Sequence, residues 1–140
     1  DFPSVIIERI KQEKTVNLKG AQVIVSGGIG VETKENFQLI IDLAHTLGAE
    51  VGASRAAVDA GLVPKDHQVG QTGTTVRPKL YIACGISGSV QHRAGMDESA
   101  RIIAINTDPE APIFKIAHYG ITGDLKDIIP KFIKAFKAKN

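Results

Sequence analysis

The chain has 140 residues, of which 43% are hydrophobic, and its 17 basic and 15 acidic residues give a formal net charge of +2. This length predicts one domain with a buried core, and the composition excludes a wholly disordered chain. The nearly balanced charge gives no indication of a nucleic-acid partner. No apolar run approaches the ~20 residues of a transmembrane helix. A single cysteine, Cys84, excludes an internal disulfide and a four-cysteine zinc site, which fits a reducing compartment.

The apolar segments are short and rich in β-branched residues, which is typical of strands buried on both faces of a sheet. The predicted strands cover residues 21–25, 50–53, 80–84, 101–105 and 119–121, with a minimal strand near 68–69. The predicted helices cover residues 4–13, 33–47, 54–60, a segment that ends near 94, and 125–136, while 112–117 fit neither pattern. This alternation predicts an α/β fold, a Rossmann-like three-layer domain with a parallel sheet of about five or six strands.

Two of the predicted helices carry clear positional signals. The apolar face of the helix at 33–47 comprises Phe37, Ile40, Ile41, Ala44 and Leu47. The last helix has an apolar stripe that recurs at helical spacing from Leu125 to Phe136, and Asp124 is its natural N-cap. Pro130 lies inside this stripe and predicts a bend or a break in the helix.

Polar or glycine-rich turns follow the predicted strands. They are residues 26–28, 54–55, 71–73, 85–88, 106 and 123–124. The carboxyl ends of parallel strands meet at one edge of the sheet, where small residues let a ligand approach the backbone and free N–H groups favour phosphate. Each turn alone also fits ordinary turn geometry and helix capping. Taken together, they predict a large nucleotide ligand without identifying it.

Motifs for other ligands and reactions are absent or incomplete. The glycines of residues 26–30 lack the dinucleotide spacing, no P-loop occurs, and the four histidines show no metal-ligand spacing. Residues 85–89 are similar to a nucleophile elbow, and Ser87 with His92 leaves a hydrolase as one alternative. A cofactor-free domain that supports subunit assembly is another. Arg55 opens a short helix against the helix dipole, which suggests that it serves an anion or an electron-rich ring.

Longer motifs occur in order along the chain. They are SRAAVDAG at 54–61, QVGQTG at 68–73, LYIACGISGSVQH at 80–92, AGM at 94–96, IAIN at 103–106, APIF at 111–114 and YGITGD at 119–124. From about residue 23 to 136, the chain resembles the C-terminal FAD-binding domain of the α-subunit of electron-transfer flavoproteins. The resemblance implies that residues 1–140 form an FAD-binding domain, the C-terminal half of a longer α-subunit, with 1–20 as a leading helix or linker.

The resemblance implies FAD as the cofactor and electron transport as the function. Such a protein is an electron carrier, a heterodimer with a β-subunit, and not a stand-alone enzyme. It takes electrons one at a time from flavin dehydrogenases and passes them to a redox acceptor. We expect no nucleic-acid partner and no membrane-spanning segment. The expected location is the cytoplasm, or the mitochondrial matrix in a eukaryote.

The resemblance also assigns cofactor-binding residues. Arg55 would lie over the flavin ring with Ser54 beside it, Thr72 would approach flavin N5, and His92 would approach the C2 carbonyl oxygen. The same loops contribute Val69, Gly70, Gln71 and Gly73. The pyrophosphate and ribityl chain would meet Ser87, Gly88, Ser89, Val90 and Gln91. The adenosine end would meet Asn106, Asp124 and Leu125.

The sequence departs from the family pattern at two positions. Ile29 stands in the first glycine turn where family members usually carry arginine, and His118 stands where aspartate is common. The N-terminal domain of the family's α-subunit has no counterpart in these 140 residues.

Overall fold

The computed structural model describes residues 16–139 and contains a five-stranded sheet whose neighbouring strands all run parallel. The strands are β1 (Val23–Gly27), β2 (Glu50–Ala53), β3 (Leu80–Cys84), β4 (Arg101–Asn106) and β5 (Tyr119–Thr122). Their order across the sheet is β2-β1-β3-β4-β5. The predicted α/β class and parallel sheet are confirmed, at the lower end of the expected number of strands.

The minimal strand predicted near residues 68–69 is not a strand of this sheet. Gln68 forms an isolated parallel bridge with Ala53, and Val69 forms another with Thr74. The first bridge holds the long loop between β2 and β3 against the carboxyl end of β2, and the second joins two residues within that loop. The polar loop is therefore fixed at the edge where the sequence predicted a ligand.

The described helices are α1 (Lys34–Leu47), α2 (Arg55–Asp59), α3 (Val90–Ala94) and α4 (Leu125–Lys139). Short 3-10 turns cover Ile29–Val31, Lys65–His67 and Pro112–Lys115. The last of these accounts for most of the segment that fitted neither pattern. The helix predicted at 4–13 lies outside the described residues.

Each helix begins after a residue whose side chain accepts a hydrogen bond from a backbone N–H of the first turn. These capping residues are Thr33, Ser54, Ser89 and Asp124. Such bonds satisfy N–H groups that have no partner inside the helix. Gly48 ends α1 in the left-handed region at φ 67°, where a side chain would be strained.

Two apolar clusters cover the two faces of the sheet and create three layers. On one face, α1 and α4 pack against each other over Val25 and Ile82. On the other face, Met96 and Ile113, which follow α3 and β4, pack over Tyr81. Strands buried on both faces explain the continuous apolar segments of the sequence.

The buried face of α1 differs from the predicted one at two positions. Phe37, Ile40 and Ala44 are buried as expected, but Ile41 is 40% exposed and Leu43 is 1% exposed. Leu43 lies three residues after Ile40, on the face that packs toward α4, and Ile41 is turned toward solvent. The predicted helical period is correct. The orientation of α1 against its neighbours determines that Leu43, and not Ile41, lies on the buried face.

Helix α4 continues through Pro130, so of the bend or break that the sequence predicted, the break does not occur. Proline removes the N–H that would donate to the carbonyl of Lys126. Pro130 and Lys126 are both exposed, so water can satisfy that carbonyl. Ile129 is fully buried beside the proline, and its packing favours a continuous helix.

The strand order creates a topological switch point between β1 and β3. The chain leaves β1 for β2 on one side and returns to β3 on the other. Gly27 and Cys84, the last residues of β1 and β3, are register partners. Open parallel sheets bind ligands outside the carboxyl ends of the strands at such a point.

Candidate functional site

A cleft of about 370 Å³, here called the larger cleft, lies at the carboxyl edge beside this switch point. It is formed by the turns after β1, β2 and β3, the start of α3 and the loop at 68–72. Most of the predicted cofactor residues line it: Ser54, Arg55, Val69, Gly70, Gln71, Thr72, Ser87, Gly88, Ser89, Gln91 and His92. The turns predicted to converge at one edge therefore do so.

A second cavity of about 60 Å³, here called the smaller cavity, opens at the same edge near the start of α4. Asn106, Asp124 and Leu125 line it, together with Gly30 and Gly85. The predicted adenosine residues are thus grouped with one another, and apart from the flavin residues.

Two predicted residues lie outside both cavities. Gly73 is packed against the Gln68 backbone in its own loop. Val90 is 68% exposed at the start of α3. Neither position gives direct access to either cavity.

Among residues 16–139, Arg55 carries the one charged side chain that lines the larger cleft, and no aspartate or glutamate of this range lines it. Its Nε lies 3.7 Å from an Asp59 carboxylate oxygen one turn along α2, and both side chains are mostly exposed. This partner offsets the unfavourable position of a cation at the helix start. The cleft is therefore suited to an anionic or electron-rich ligand.

The Thr72 hydroxyl is oriented by a side chain that the sequence analysis did not select. Gln68 is 4% exposed, and its Nε2 donates to Thr72 Oγ1 at 2.9 Å. A buried amide thus holds a hydroxyl that lines the cleft. The hydroxyl oxygen accepts this bond, so its proton is left for a ligand acceptor.

His92 is 4% exposed and contacts a second missed residue, Tyr81, which is fully buried in β3. Its Nε2 lies 2.9 Å from the Tyr81 hydroxyl, and the two rings meet edge to face. The other ring nitrogen, Nδ1, is buried and has no partner at hydrogen-bonding geometry among the described residues. Buried polar atoms rarely stay unpaired, so this atom marks a place for a ligand.

Burial sets the protonation of these groups. It lowers the pKa of His92 to about 4, although the backbone of Val69 beside the ring opposes the shift, so the imidazole is neutral near pH 7. Burial also raises the pKa of Tyr81 far above its ordinary value, and the adjacent Ser26 hydroxyl opposes that rise without reaching hydrogen-bonding geometry. Burial raises the pKa of Cys84 to about 12, which confirms it as an inert core thiol.

The glycines of the turns after β1 and β3 serve packing between the two turns. A Cβ on Gly28 would lie 2.5 Å from the Gly85 carbonyl oxygen, and one on Gly30 would lie 2.9 Å from the same atom. The N–H of Gly30 donates to that oxygen at 3.0 Å. The expectation that small residues here admit a ligand to the backbone is therefore corrected, because the neighbouring turn occupies that space.

Asn106 and Asp124 already make hydrogen bonds within the chain. Asn106 Nδ2 donates to the Ile86 carbonyl at 3.0 Å, and its Oδ1 accepts from the N–H of Asp108 at 3.0 Å. Asp124 Oδ1 accepts from the N–H of Lys126 at 2.9 Å, which confirms the predicted cap. Both residues shape the smaller cavity through these bonds.

The geometry does not favour the hydrolase alternative. Ser87 is exposed and His92 is buried, and within the described residues no hydrogen bond joins them. The Nε2 that a catalytic base would need faces Tyr81 instead. Across residues 16–139 no group of three or more His, Cys, Asp or Glu side chains is arranged for a metal ion.

The two departures from the family pattern have different surroundings. Ile29 is 51% exposed and lines the larger cleft, where it adds apolar surface in place of a charge. His118 lies away from both cavities and accepts a hydrogen bond at Nδ1 from the N–H of Ile102 at 2.9 Å. An aspartate oxygen can accept a hydrogen bond of the same kind.

Comparison with known proteins agrees with this geometry. The family described as Electron transfer flavoprotein FAD-binding domain matches residues 17–97. The chain belongs to this family. The resemblance seen in the sequence is confirmed, and FAD is the family's cofactor.

Relatives in the same family come from bacteria and from a eukaryote. The chain is 57% identical over 138 residues to the electron transfer flavoprotein subunit alpha of Thermoanaerobacterium thermosaccharolyticum, covering 98% of this chain and 42% of the relative. It is 62% identical over 123 residues to protein FixB of Azotobacter vinelandii, covering 88% and 34%. It is 55% identical over 128 residues to the mitochondrial subunit alpha of Dictyostelium discoideum, covering 91% and 36%. The chain thus spans less than half the length of these relatives.

A solved structure with a different description has a similar fold. It is attributed to a thiamin diphosphate-dependent enzyme from Mycobacterium smegmatis, with a TM-score of 0.51 and 16% identity, covering 91% of this chain and 27% of that one. Such a distant likeness supports the three-layer α/β fold and nothing about the ligand. In the described part of the chain, no helix combines the length and apolar character that crossing a bilayer requires.

Proposed function

We propose that residues 1–140 form the FAD-binding domain of an electron-transfer flavoprotein α-subunit. The observation that carries the proposal is the larger cleft, where most of the predicted flavin residues meet beside the switch point; within the described part of the chain its lining includes one arginine and no carboxylate. Family membership makes FAD the ligand to test there. When bound, the flavin would supply one-electron chemistry, and the protein would supply binding, orientation and electrostatics.

The residues of the larger cleft fit the flavin and its pyrophosphate. Arg55 is a fixed cation, Thr72 has a hydroxyl proton to donate, and His92 has a buried nitrogen without a partner. Ser87 and Ser89 add exposed hydroxyls suited to phosphate oxygens. Donors held in place before a ligand gains charge stabilise that charge without reorganising.

The smaller cavity fits the adenosine end of the same cofactor. Asn106, Asp124 and Leu125 line it, and both cavities border the pair of turns that contain Gly30 and Gly85. An extended FAD would pass along this edge, with its adenosine at the start of α4. The Asp124 carboxylate would accept hydrogen bonds from ribose hydroxyls while it caps the helix.

The rest of the function belongs to a longer protein, because the chain spans 34% and 42% of two of its relatives. We propose that this protein pairs with a β-subunit as a heterodimer. It would receive electrons singly from flavin dehydrogenases and deliver them to a redox acceptor. The bacterial and mitochondrial relatives support a cytoplasmic location, or the mitochondrial matrix in a eukaryote.

Calorimetric titration of the natural protein that contains this domain, freed of cofactor, tests the proposal. FAD, FMN and NAD are titrated separately. We expect one FAD per domain, with FMN bound at least about tenfold more weakly because it lacks the adenosine contacts. Absence of FAD binding would overturn the proposal, and FMN binding as tight as FAD binding would overturn the role of the smaller cavity.

A matched pair of variants separates the adenosine end from the helix cap. Asp124→Asn keeps an oxygen that can cap α4 and removes the carboxylate, and Asp127→Asn alters an exposed carboxylate in the same helix turn. We expect Asp124→Asn to weaken FAD binding about tenfold and to leave FMN binding unchanged, in line with the loss of a charge-assisted hydrogen bond. Asp127→Asn should change neither affinity.

A further inference from the structure

The buried contact between Tyr81 and His92 leaves open which group donates the proton. A neutral imidazole has one N–H and one bare nitrogen, and the hydrogen bond at one nitrogen decides the state of the other. Tyr81 Oη and His92 Nε2 are 2.9 Å apart inside the protein. Either the phenol donates to a bare Nε2, or an Nε2–H donates to the phenol oxygen.

The surroundings of the other nitrogen favour donation by the phenol. Val69 lies beside the ring and raises the pKa of His92, as a carbonyl oxygen does. The N–H of Val69 cannot have this effect, because it donates to the Ala53 carbonyl at 2.8 Å. Because Nε2 faces the Tyr81 hydroxyl, the ring nitrogen left toward the Val69 backbone is Nδ1, and a proton on Nδ1 would be attracted to a carbonyl oxygen there.

The surroundings of the phenol also favour donation from Tyr81 to His92. If Nε2–H donated to Tyr81, the phenol proton would need another acceptor in the core. The neighbouring hydroxyl, Ser26 Oγ, has no partner at hydrogen-bonding geometry among the described residues. Donation to Nε2 uses the phenol proton at a partner that meets the geometry.

We infer that Tyr81 is a positioning residue, whose phenol donates to Nε2 of His92 and holds that ring as the neutral tautomer with its proton on Nδ1. His92 lines the larger cleft and then carries its N–H on Nδ1, which has no partner at hydrogen-bonding geometry among the described residues and is available to an acceptor oxygen of a ligand. The identity of that ligand rests on the proposed function, in which a flavin carbonyl is the acceptor. The tautomer itself depends only on the contacts of the chain.

The decisive experiment is two-bond ¹H–¹⁵N correlation NMR of the natural protein labelled with ¹⁵N-histidine and freed of FAD. The ring nitrogen coupled to both carbon-bound protons is Nε2, so each nitrogen is assigned by its pattern. We expect His92 Nε2 at the downfield position of a bare nitrogen and Nδ1 at the position of an N–H. The reverse pattern would overturn the inference, whether or not FAD binds.

A matched pair of tyrosine variants supplies the second measurement. Tyr81→Phe keeps the ring in the core and removes the donor, while Tyr119→Phe alters a tyrosine that is 64% exposed in β5. We expect Tyr81→Phe to shift His92 toward the Nε2–H tautomer and to weaken FAD binding about tenfold. Tyr119→Phe should leave both unchanged. An unaltered His92 spectrum in Tyr81→Phe would show that Tyr81 only fills space.

These outcomes separate the inference from the proposed function. An Nδ1–H tautomer in a protein that does not bind FAD refutes the proposed ligand and leaves the role of Tyr81 intact. An Nε2–H tautomer in a protein that binds FAD refutes the role of Tyr81 and leaves the proposed ligand intact.

Discussion

Gln68 donates a hydrogen bond from Nε2 to the Thr72 hydroxyl oxygen at 2.9 Å, within the loop that forms one wall of the larger cleft. The donor is buried and the acceptor is exposed, so the interior of the protein sets the direction of a surface hydroxyl. Because the oxygen accepts from Gln68, the hydroxyl proton of Thr72 is left to donate to a ligand. Thr72 and Gln68 therefore work as one unit.

The first prediction concerns this unit. Gln68→Met has a similar length and no donor, so Thr72 loses its orientation while the loop keeps its packing. We expect FAD binding about three- to tenfold weaker, which corresponds to the loss of roughly 1 kcal/mol for one hydrogen bond. Calorimetric titration of the natural protein measures it.

A double-mutant cycle provides the control for this prediction. Thr72→Val should weaken FAD binding by a similar factor. Adding Gln68→Met to that variant should weaken FAD binding little further, because the two residues share one interaction. Gln38→Met removes an exposed amide that is hydrogen-bonded to Asp42, and it should leave FAD affinity unchanged. Additive effects of the Gln68 and Thr72 changes would contradict the coupling.

The second prediction concerns stability below neutral pH. Burial lowers the pKa of His92 from 6.5 to about 4, so between these values the unfolded chain binds a proton that the folded protein does not. The free energy of unfolding therefore falls as pH decreases through this window, and it is fully retained above pH 6.5. A shift of this size corresponds to about 3 kcal/mol.

Urea denaturation of the cofactor-free protein at a series of pH values measures this loss. His92→Gln should remove most of the dependence between pH 6.5 and 4. His45→Gln alters an exposed histidine near the end of α1 and should leave the dependence intact. Equal slopes for His92→Gln and the unaltered protein would show that other groups cause the loss.

The third prediction concerns the contact between the turns after β1 and β3. Gly28→Ala places a Cβ 2.5 Å from the Gly85 carbonyl oxygen, and backbone atoms there cannot move without separating the strands. We expect a loss of about 1–3 kcal/mol in the free energy of unfolding, the usual cost of overpacking. Urea denaturation at neutral pH measures it.

Gly20→Ala is the control for this prediction. The three atoms nearest to the added Cβ belong to the Asn17 side chain, with Nδ2 at 2.9 Å, and a flexible side chain can move away. Gly20→Ala should lower the free energy of unfolding much less than Gly28→Ala does. Equal losses at the two positions would show that the contact between the turns has no special effect.

The sequence predicted the sheet and the edge where the site lies, because both follow from local patterns. Short β-branched segments indicate buried parallel strands, and residues such as Ser54 or Asp124 signal the helix starts at their carboxyl ends. Most of the predicted flavin residues therefore line one cleft. The limits of this approach appear where a residue's role depends on what packs against it.

Tyr81 and Gln68 show those limits. A tyrosine in a strand buried on both faces needs a partner for its hydroxyl, and that signal was present in the sequence. The partner, His92, lies eleven residues away, and only the packing of α3 against the sheet brings the two together. The same limit explains the correction at Gly28 and Gly85, since sequence alone does not show that the turn after β1 rests on the turn after β3.

The last prediction concerns Arg55, whose guanidinium lines the larger cleft and pairs with Asp59. Over a flavin, its charge would favour the reduced and more negative cofactor. Two charges ~4 Å apart at an effective dielectric near 20 interact by roughly 4 kcal/mol, and solvent exposure of Arg55 reduces this to about 1 kcal/mol. We therefore expect Arg55→Ala to retain FAD and to lower its first reduction potential by on the order of 40 mV, since ~59 mV is a tenfold change for one electron. Spectroelectrochemistry of the natural protein measures it.

Two further variants determine whether charge causes the effect. Arg55→Lys keeps the charge and loses the planar group, so its potential should lie between those of the alanine variant and the unaltered protein. Asp59→Asn removes the competing carboxylate at 3.7 Å and should shift the potential upward, opposite to Arg55→Ala. A first potential that stays constant in all three variants, with FAD bound, would make Arg55 an ordinary surface arginine. Opposite shifts at positions 55 and 59 would support a flavin that lies near the Arg55 charge, over the start of α2.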